Sequence, residues 1–233
     1  MIYFDNSATT KIDPAVLATY DAISNNFFGN PSSLHAVGTK ANDMLQSARG
    51  QIAELIGAAP DEIFFTSGGT EGDNWIIKGT AIEKREFGNH LITTAIEHPA
   101  VINTMKQLEK LGFKVTYLPV DKDGFIQPIH EIAKVLADHP TIHFHVDAVQ
   151  AVGKGLRDLI REPRVDFATF SGHKFHAPRG TGFIYVKRGR KIAPLLTGGG
   201  QENDWRSGTE NTPAIGAMAK ALRLLLTNED ANV

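Results

Sequence analysis

Ser171-Gly172-His173-Lys174 sets a lysine amine, two hydrogen-bonding side chains and a glycine turn directly after the strand-like run Val165 to Phe170. An amine at a strand's end can form an imine with a carbonyl cofactor, and short polar residues beside it can hold a phosphate. A solvated surface lysine is the plainer interpretation, so the other strand ends have to decide. Ser67-Gly68-Gly69-Thr70-Glu71 follows a second run, Asp61 to Thr66, and leads into a helix from about Gly72 to Lys84. Glycines allow close backbone approach, and free N–H groups at a helix start attract an anion. The stretch lacks the Walker lysine and the GxGxxG spacing, and a plain tight turn explains it equally well. Glu97 and His98 follow a third strand, and Asp147 and Gln150 a fourth. His98 before Pro99, and Asp147 before Ala148, also suit helix caps. Arg206 and Thr209 could serve an anion or simply border the last helix.

The elements that must position these residues alternate. Helical spacing covers Ala15 to Ile23 after the Asp13-Pro14 start signal, Lys40 to Ile56 with Gly57 as a stop, Pro99 to Leu111, Ile129 to Ala137, and about Ala214 to Leu226. Strand patterns cover His90 to Ala95, Lys114 to Pro119, Thr141 to Asp147 and a return strand, parallel or antiparallel to its neighbours, from Gly180 to Val186. Strand–helix alternation predicts an α/β fold in three layers, a mostly parallel sheet sandwiched by helices, whose ligands sit outside the carboxyl ends of the strands. Four strand ends carry chemically competent side chains there. His143 and His145 alternate within one strand and read as half-buried packing, not a metal pair, and no metal site is expected. Leu196 to Glu202 reads as a flexible glycine loop.

Composition narrows the function classes. A chain of 233 residues, 42% hydrophobic and 21% charged, can bury a substantial core. A formal net charge of -2 provides no basic field for nucleic acid. No apolar run approaches the ~20 residues of a membrane span, and the first residues show no basic-then-apolar leader, so a cytoplasmic protein is expected. The absence of cysteine rules out disulfides, thiolate zinc sites and a cysteine nucleophile within this chain.

Seven motifs in order, Tyr3-Phe4-Asp5-Asn6-Ser7-Ala8-Thr9-Thr10, Gly29-Asn30-Pro31-Ser32-Ser33, Thr66-Ser67-Gly68-Gly69-Thr70-Glu71, Glu97-His98-Pro99-Ala100, His145-Val146-Asp147-Ala148-Val149-Gln150-Ala151, Ser171-Gly172-His173-Lys174 and Arg206-Ser207-Gly208-Thr209-Glu210-Asn211, closely resemble the cysteine desulfurases of the NifS/IscS group. These are class V aminotransferase-like enzymes of PLP fold type I. The resemblance implies pyridoxal 5'-phosphate as cofactor and L-cysteine as substrate. It implies that Lys174 is the Schiff-base lysine and proton shuttle, that Asp147 pairs with the pyridinium nitrogen, and that His98 stacks on the ring and takes part in proton transfer. Gln150 would donate to the phenolic oxygen, and Gly69, Thr70, Ser171 and His173 would contact the phosphate. Thr209 would reach the phosphate of the other subunit, which implies a homodimer. The sulfur would pass to an acceptor protein, an iron–sulfur scaffold or a tRNA-thiolation enzyme.

Two departures accompany the matches. The family uses a cysteine on a mobile loop to take the sulfur, and this chain has none, so no desulfurase turnover is expected of it alone. Family members also have a helix and a central strand where Asp123-Gly124-Phe125-Ile126 here joins directly to Gln127-Pro128-Ile129. Loss of a central strand would leave its neighbours unpaired. Either the chain lacks residues that the natural protein carries or it is a degenerate fragment. The resulting division is an N-terminal arm over 1–15, a PLP-binding large domain over 16–226 and a truncated start of a small domain over 227–233. Two alternatives stay open: a non-catalytic remnant acting as a dimerising or interaction piece, and another class V PLP lyase or aminotransferase.

Overall fold

The computed structural model describes residues 2–120, 128–154 and 156–230; the junction at Ile126 and Gln127 and the terminal residues 231–233 lie outside them. Seven helices and six strands alternate among the described residues. They are α1 (Pro14–Asn26), α2 (Ala36–Ile56), β1 (Ile63–Thr66), α3 (Gly69–Glu83), β2 (His90–Thr94), α4 (Pro99–Lys110), β3 (Lys114–Leu118), α5 (Ile129–Ala137), β4 (His145–Asp147), α6 (Leu156–Arg161), β5 (Phe167–Ser171), β6 (Gly182–Val186) and α7 (Thr212–Asp230).

Local chemistry explains the boundaries. The Asp13 carboxylate accepts from the Ala15 N–H at 2.7 Å, and Pro14 occupies the first helical position, so α1 begins inside the stretch expected to be an arm. His35 caps α2 through Nδ1, which starts that helix four residues before its apolar spacing becomes visible. Gly57, in the left-handed region at φ 79°, ends it. Thr227 to Asp230, where a second domain is expected to start, lie in α7, which runs on to Asp230.

β1, β6, β5 and β4 form one sheet in that spatial order. β5 runs parallel to β4, whereas β6 runs antiparallel to both β1 and β5. The return between β5 and β6 is too short for a parallel crossover, which needs a dozen or more residues. The three strands β1, β5 and β6 are buried on both faces, so they read as apolar runs without alternation. Phe65, Ala168, Phe170, Phe183 and Tyr185 face α1, α2 and α7, with the Phe170 and Phe183 rings stacked at 4.4 Å. Phe64, Phe167, Ile184 and Val186 face α3, against Trp75 and Ile76. This is the expected three-layer sandwich.

β2 and β3 pair in parallel as a separate two-stranded sheet, packed on α3 and α4 through Ile77, Ala81, Val101, Met105 and Leu108. Among the described residues, β4 pairs only with β5, and β2 only with β3. Each therefore keeps one unpaired edge, the outcome that a missing central strand implies.

Candidate active site

The carboxyl ends of β1, β4 and β5, together with the segment after β2, place the expected residues in one region. Asp147 ends β4, and its Oδ1 accepts the Val149 N–H at 3.0 Å. This bond caps a run of turns over 148–154 and not the helix expected there. Burial raises the Asp147 pKa, while the Val149 N–H and the positive charges of His98 and Lys174 act against that rise. Both residues therefore stand close enough to the carboxylate to act on its charge. His98 is at once a cap and a site residue: its Nδ1 accepts the Ala100 N–H at 3.1 Å at the start of α4. A ring nitrogen that accepts carries no hydrogen, so a neutral His98 holds its proton on Nε2.

Ser171 ends β5, and Gly172, His173 and Lys174 form a single tight turn after it. The half-buried Lys174 donates from Nζ to the carbonyl oxygens of Ser7 at 2.5 Å and Ala8 at 3.1 Å. Gln150 Nε2 donates to the same Ser7 oxygen at 2.9 Å. His173 lies 3.2 Å through Nδ1 from the Thr9 hydroxyl, and its carbonyl accepts from both the N–H and the hydroxyl of Thr10. Burial lowers the His173 pKa, and the charges of Lys174 and Arg179 add to that effect. The N-terminal segment is thus laced across the site, with Lys174 and Gln150 bonded to one of its carbonyls.

The start of α3 lies beside this turn. No side chain caps that helix, so the N–H groups of its first turn stay available. Gly69 is closely packed: a Cβ there would stand 2.7 Å from Val149 Cγ2 and 3.5 Å from Ser171 Cβ. An uncapped helix end, a glycine approach and the Ser171 hydroxyl form a donor set that fits a phosphate. The carboxylate of Asp147 fits a ring nitrogen, and the Lys174 amine an aldehyde, so the residues present fit pyridoxal 5'-phosphate.

Two expected residues stand elsewhere. Arg206, open between serving an anion and bordering the helix, pairs here with Glu71, from Nε to Oε1 at 2.8 Å and from Nη2 to Oε2 at 3.3 Å. Burial would raise the Glu71 carboxyl, but Arg206 and the Ser67 hydroxyl outweigh it and hold the pKa below its ordinary value. Thr209 is exposed on the loop beyond, and its side chain makes no hydrogen bond among the described residues. His143 and His145 pack as the strand pattern predicts: His143 meets the Phe167 ring at 5.4 Å, and His145 lies beside the Thr169 hydroxyl at 2.9 Å.

One feature escapes sequence reasoning. Asp73 of α3 is 1% exposed, with Oδ1 3.6 Å from His145 Nε2 and without a hydrogen-bond partner. His145 Nε2 in turn lies 2.9 Å from the Thr169 hydroxyl. Burial, then the charges of Asp147 and Glu97, push the Asp73 pKa up to about 8 against the Thr169 hydroxyl. Burial pushes His145 down to about 3. Asp73 therefore keeps a proton in the native chain that the unfolded chain loses near its ordinary value of 3.8, and its contribution to stability falls as pH rises from about 4 to about 8. Above pH 7 His145 is neutral in both states and drops out. Asp73→Asn is expected to remove most of the stability loss between pH 7 and 8, read as the shift of the urea midpoint over that interval. An unchanged slope would disprove the assignment.

The Aminotransferase class-V family model matches residues 2–127 and again 122–232. A NifS/IcsS protein homolog of Lactobacillus delbrueckii subsp. bulgaricus is 54% identical over 257 residues, covering 98% of this chain and 67% of the relative. Cysteine desulfurase IscS of Clostridium botulinum is 42% identical over 255 residues, covering 97% of this chain and 64% of the relative. Both alignments are longer than the 233 residues of this chain, so the relatives carry positions without a counterpart here. A solved NifS-like protein superposes with a TM-score of 0.93 at 39% identity, over 99% of this chain and 71% of that one. SspA, solved in complex with cysteine, superposes with a TM-score of 0.86 at 35% identity, over 96% and 72%. The chain spans about two thirds of the length of the curated relatives it matches.

Proposed function

The chain belongs to the class V aminotransferase family, and from that premise we propose that it is the cofactor-binding large domain of a pyridoxal 5'-phosphate-dependent cysteine desulfurase. The observation that carries this reading is the placing of Asp147, Ser171 and Lys174 at the ends of β4 and β5, with Lys174 and Gln150 both bonded to the Ser7 carbonyl and Gly69 packed against Val149 and Ser171. Family members and the cysteine desulfurase relatives depend on pyridoxal 5'-phosphate. Bound there, the cofactor supplies an electron sink for bond changes at an amino acid's α-carbon.

The chain's own residues bind, orient and move protons. Asp147 would hold the ring nitrogen, and a carboxylate there would keep that nitrogen protonated. The Lys174 amine would hold the cofactor's aldehyde carbon and, when free, would carry a proton to or from the substrate α-carbon. Gln150, whose Nε2 here donates to the Ser7 carbonyl, would donate to the phenolic oxygen. Gly69, Thr70, Ser171 and His173 would hold the phosphate, and His98 would stand against the ring and take part in proton transfer. Thr209, exposed here, reaches the phosphate of a second copy in a homodimer. L-Cysteine is the substrate, L-alanine the product, and an iron–sulfur scaffold or tRNA-thiolation enzyme takes the sulfur. Attack on that sulfur needs a thiolate, and the 233 residues contain no cysteine, so the thiol is contributed from outside this sequence. A non-catalytic dimerising remnant is the second reading, favoured by the division of the sheet in two.

Titration of the chain with pyridoxal 5'-phosphate tests the choice. A visible absorption band that changes when L-cysteine is added is the expected result. A folded chain that gives no band would overturn the cofactor reading and leave the remnant.

A further inference from the structure

Asp73 is an acid on the buried side of a helix, where an ionised carboxylate is costly unless something compensates it. The sheet register shows what it faces. Phe167 of β5 packs toward α3, and Thr169, two residues on, shares that side of the strand. In the parallel pairing of β4 with β5, His145 stands beside Phe167 and Asp147 beside Thr169. His145, Asp147 and Thr169 therefore hold neighbouring positions on the α3 side of the sheet.

α3 reaches them because a glycine stands at the contact. A Cβ at Gly72 would lie 2.7 Å from Thr169 Cγ2 and 2.8 Å from Ile184 Cγ2. The next residue, Asp73, is thereby pressed into the interior, with a side chain 1% exposed. Its Oδ1 lies 3.6 Å from His145 Nε2 and has no hydrogen-bond partner among the described residues. The same Nε2 lies 2.9 Å from the hydroxyl of Thr169, whose strand neighbour is Asp147. A polar seam thus runs from Asp73 through His145 and Thr169 to Asp147, along the layer between helix and sheet.

Two carboxyl groups in one enclosed layer resist carrying charge together, so the pair shares out a proton. Asp147 Oδ1 has the Val149 N–H at 3.0 Å, a donor that favours the ionised form, whereas Asp73 Oδ1 has none. Burial, then Asp147 and Glu97, push Asp73 up to about 8. Burial also raises Asp147, but the Val149 N–H and the charges of His98 and Lys174 oppose that rise. The other groups around Asp73 carry no charge near neutral pH: the Thr169 hydroxyl from β5, Thr104 of α4, bonded to Asn74, and the imidazole of His145, which burial pushes down to about 3.

We propose that Asp73 is a positioning residue for the cofactor carboxylate: it holds the proton that the pair shares and, through His145 and Thr169, keeps Asp147 as the ionised member, ready for the ring nitrogen. This rests on the reading of Asp147 given above and adds a partner from α3 that acts only through other side chains. Above about pH 8 Asp73 ionises, and a second negative charge arises behind Asp147.

His145 reports on Asp73, because its imidazole stays neutral while the carboxyl beside it titrates. In the 233-residue chain with isotope-labelled histidine, the His145 Nε2 resonance is expected to shift with a midpoint near pH 8. Asp73→Asn is expected to abolish that step. Asp147→Asn is expected to lower its midpoint by about one pH unit or more, because loss of one charge lets the other carboxyl ionise more easily. A midpoint that Asp147→Asn leaves unmoved would overturn the pairing, and this titration decides alone if Asp73→Asn does not fold. With pyridoxal 5'-phosphate added, the pH profile of the visible band is expected to show the same step in the wild type and to lose it in Asp73→Asn, while the band itself persists. Identical profiles in the two chains would make Asp73 a structural residue only and overturn the proposal. A wild type that shows the coupled titration but no band would overturn the cofactor reading and this role with it.

Discussion

Lys174→Ala is expected to yield a folded chain that gives no absorption band with pyridoxal 5'-phosphate and gains no mass after borohydride reduction, whereas the wild type is tagged at Lys174. The lost native contacts are two hydrogen bonds, to the carbonyls of Ser7 and Ala8, together worth about 1–3 kcal/mol of stability. The chemical loss is far larger, because no other lysine stands at a strand end beside Asp147. In the longer protein that contains this domain, L-cysteine-dependent alanine formation should fall below about 1% of wild type. Lys174→Arg should fare no better, because a guanidinium stays protonated and is not a useful nucleophile. A band of wild-type intensity in either variant would remove Lys174 from the reaction.

Glu202→Ala is expected to be the most destabilising single change away from the site, by about 3–5 kcal/mol, because it strands a buried cation. The Glu202 carboxylate is 1% exposed. It accepts from both Nη atoms of Arg49, at 2.6 and 2.9 Å, and from the Phe65 N–H at 2.8 Å. Arg49 also donates to the Ile63 carbonyl and lies 4.5 Å over the Phe65 ring, so the pair ties the loop, α2 and β1 together. The anchor holds strain as well. Glu202, Asn203 and Asp204 have φ of 49°, 58° and 65°, three consecutive side chains in the left-handed region that favours glycine. Urea unfolding should show the Arg49→Met and Glu202→Leu double variant losing less than the sum of the singles. Additive losses would show that the pair does not act as a unit.

The layered fold and the strand ends were legible because both follow from short-range signals. α5 begins and ends where its pattern does, at Ile129–Ala137. The reversal of β6 follows from the brevity of its return. Lys174, Asp147 and His98 stand out in the sequence because polar residues at the carboxyl ends of strands have few packing reasons to be there, while their roles come from the family resemblance alone. The misreadings share a different cause, which is partners remote in sequence. Arg206 in a glycine-flanked loop looks free, yet Glu71, 135 residues earlier, takes its guanidinium. The loop at Gly198–Gly200 looks flexible, yet Glu202 is pinned by Arg49, 153 residues away. Asp73, between Gly72 and Asn74, reads as an ordinary polar helix position, and only the sheet beneath shows that it is enclosed.

The central place of β6 constrains how the chain can be made. Ile63 of β1 pairs with Tyr185, and β5 reaches β1 only through β6. During synthesis β1 emerges with Phe64 and Phe65 already apolar and sticky, and it must wait for the rest of the sheet. At ribosomal speeds of ~5–20 residues per second that wait lasts roughly 6–24 s. Over that interval the nascent chain depends on α2 or on a chaperone to shield the strand, and β6 closes the sheet in a single late step.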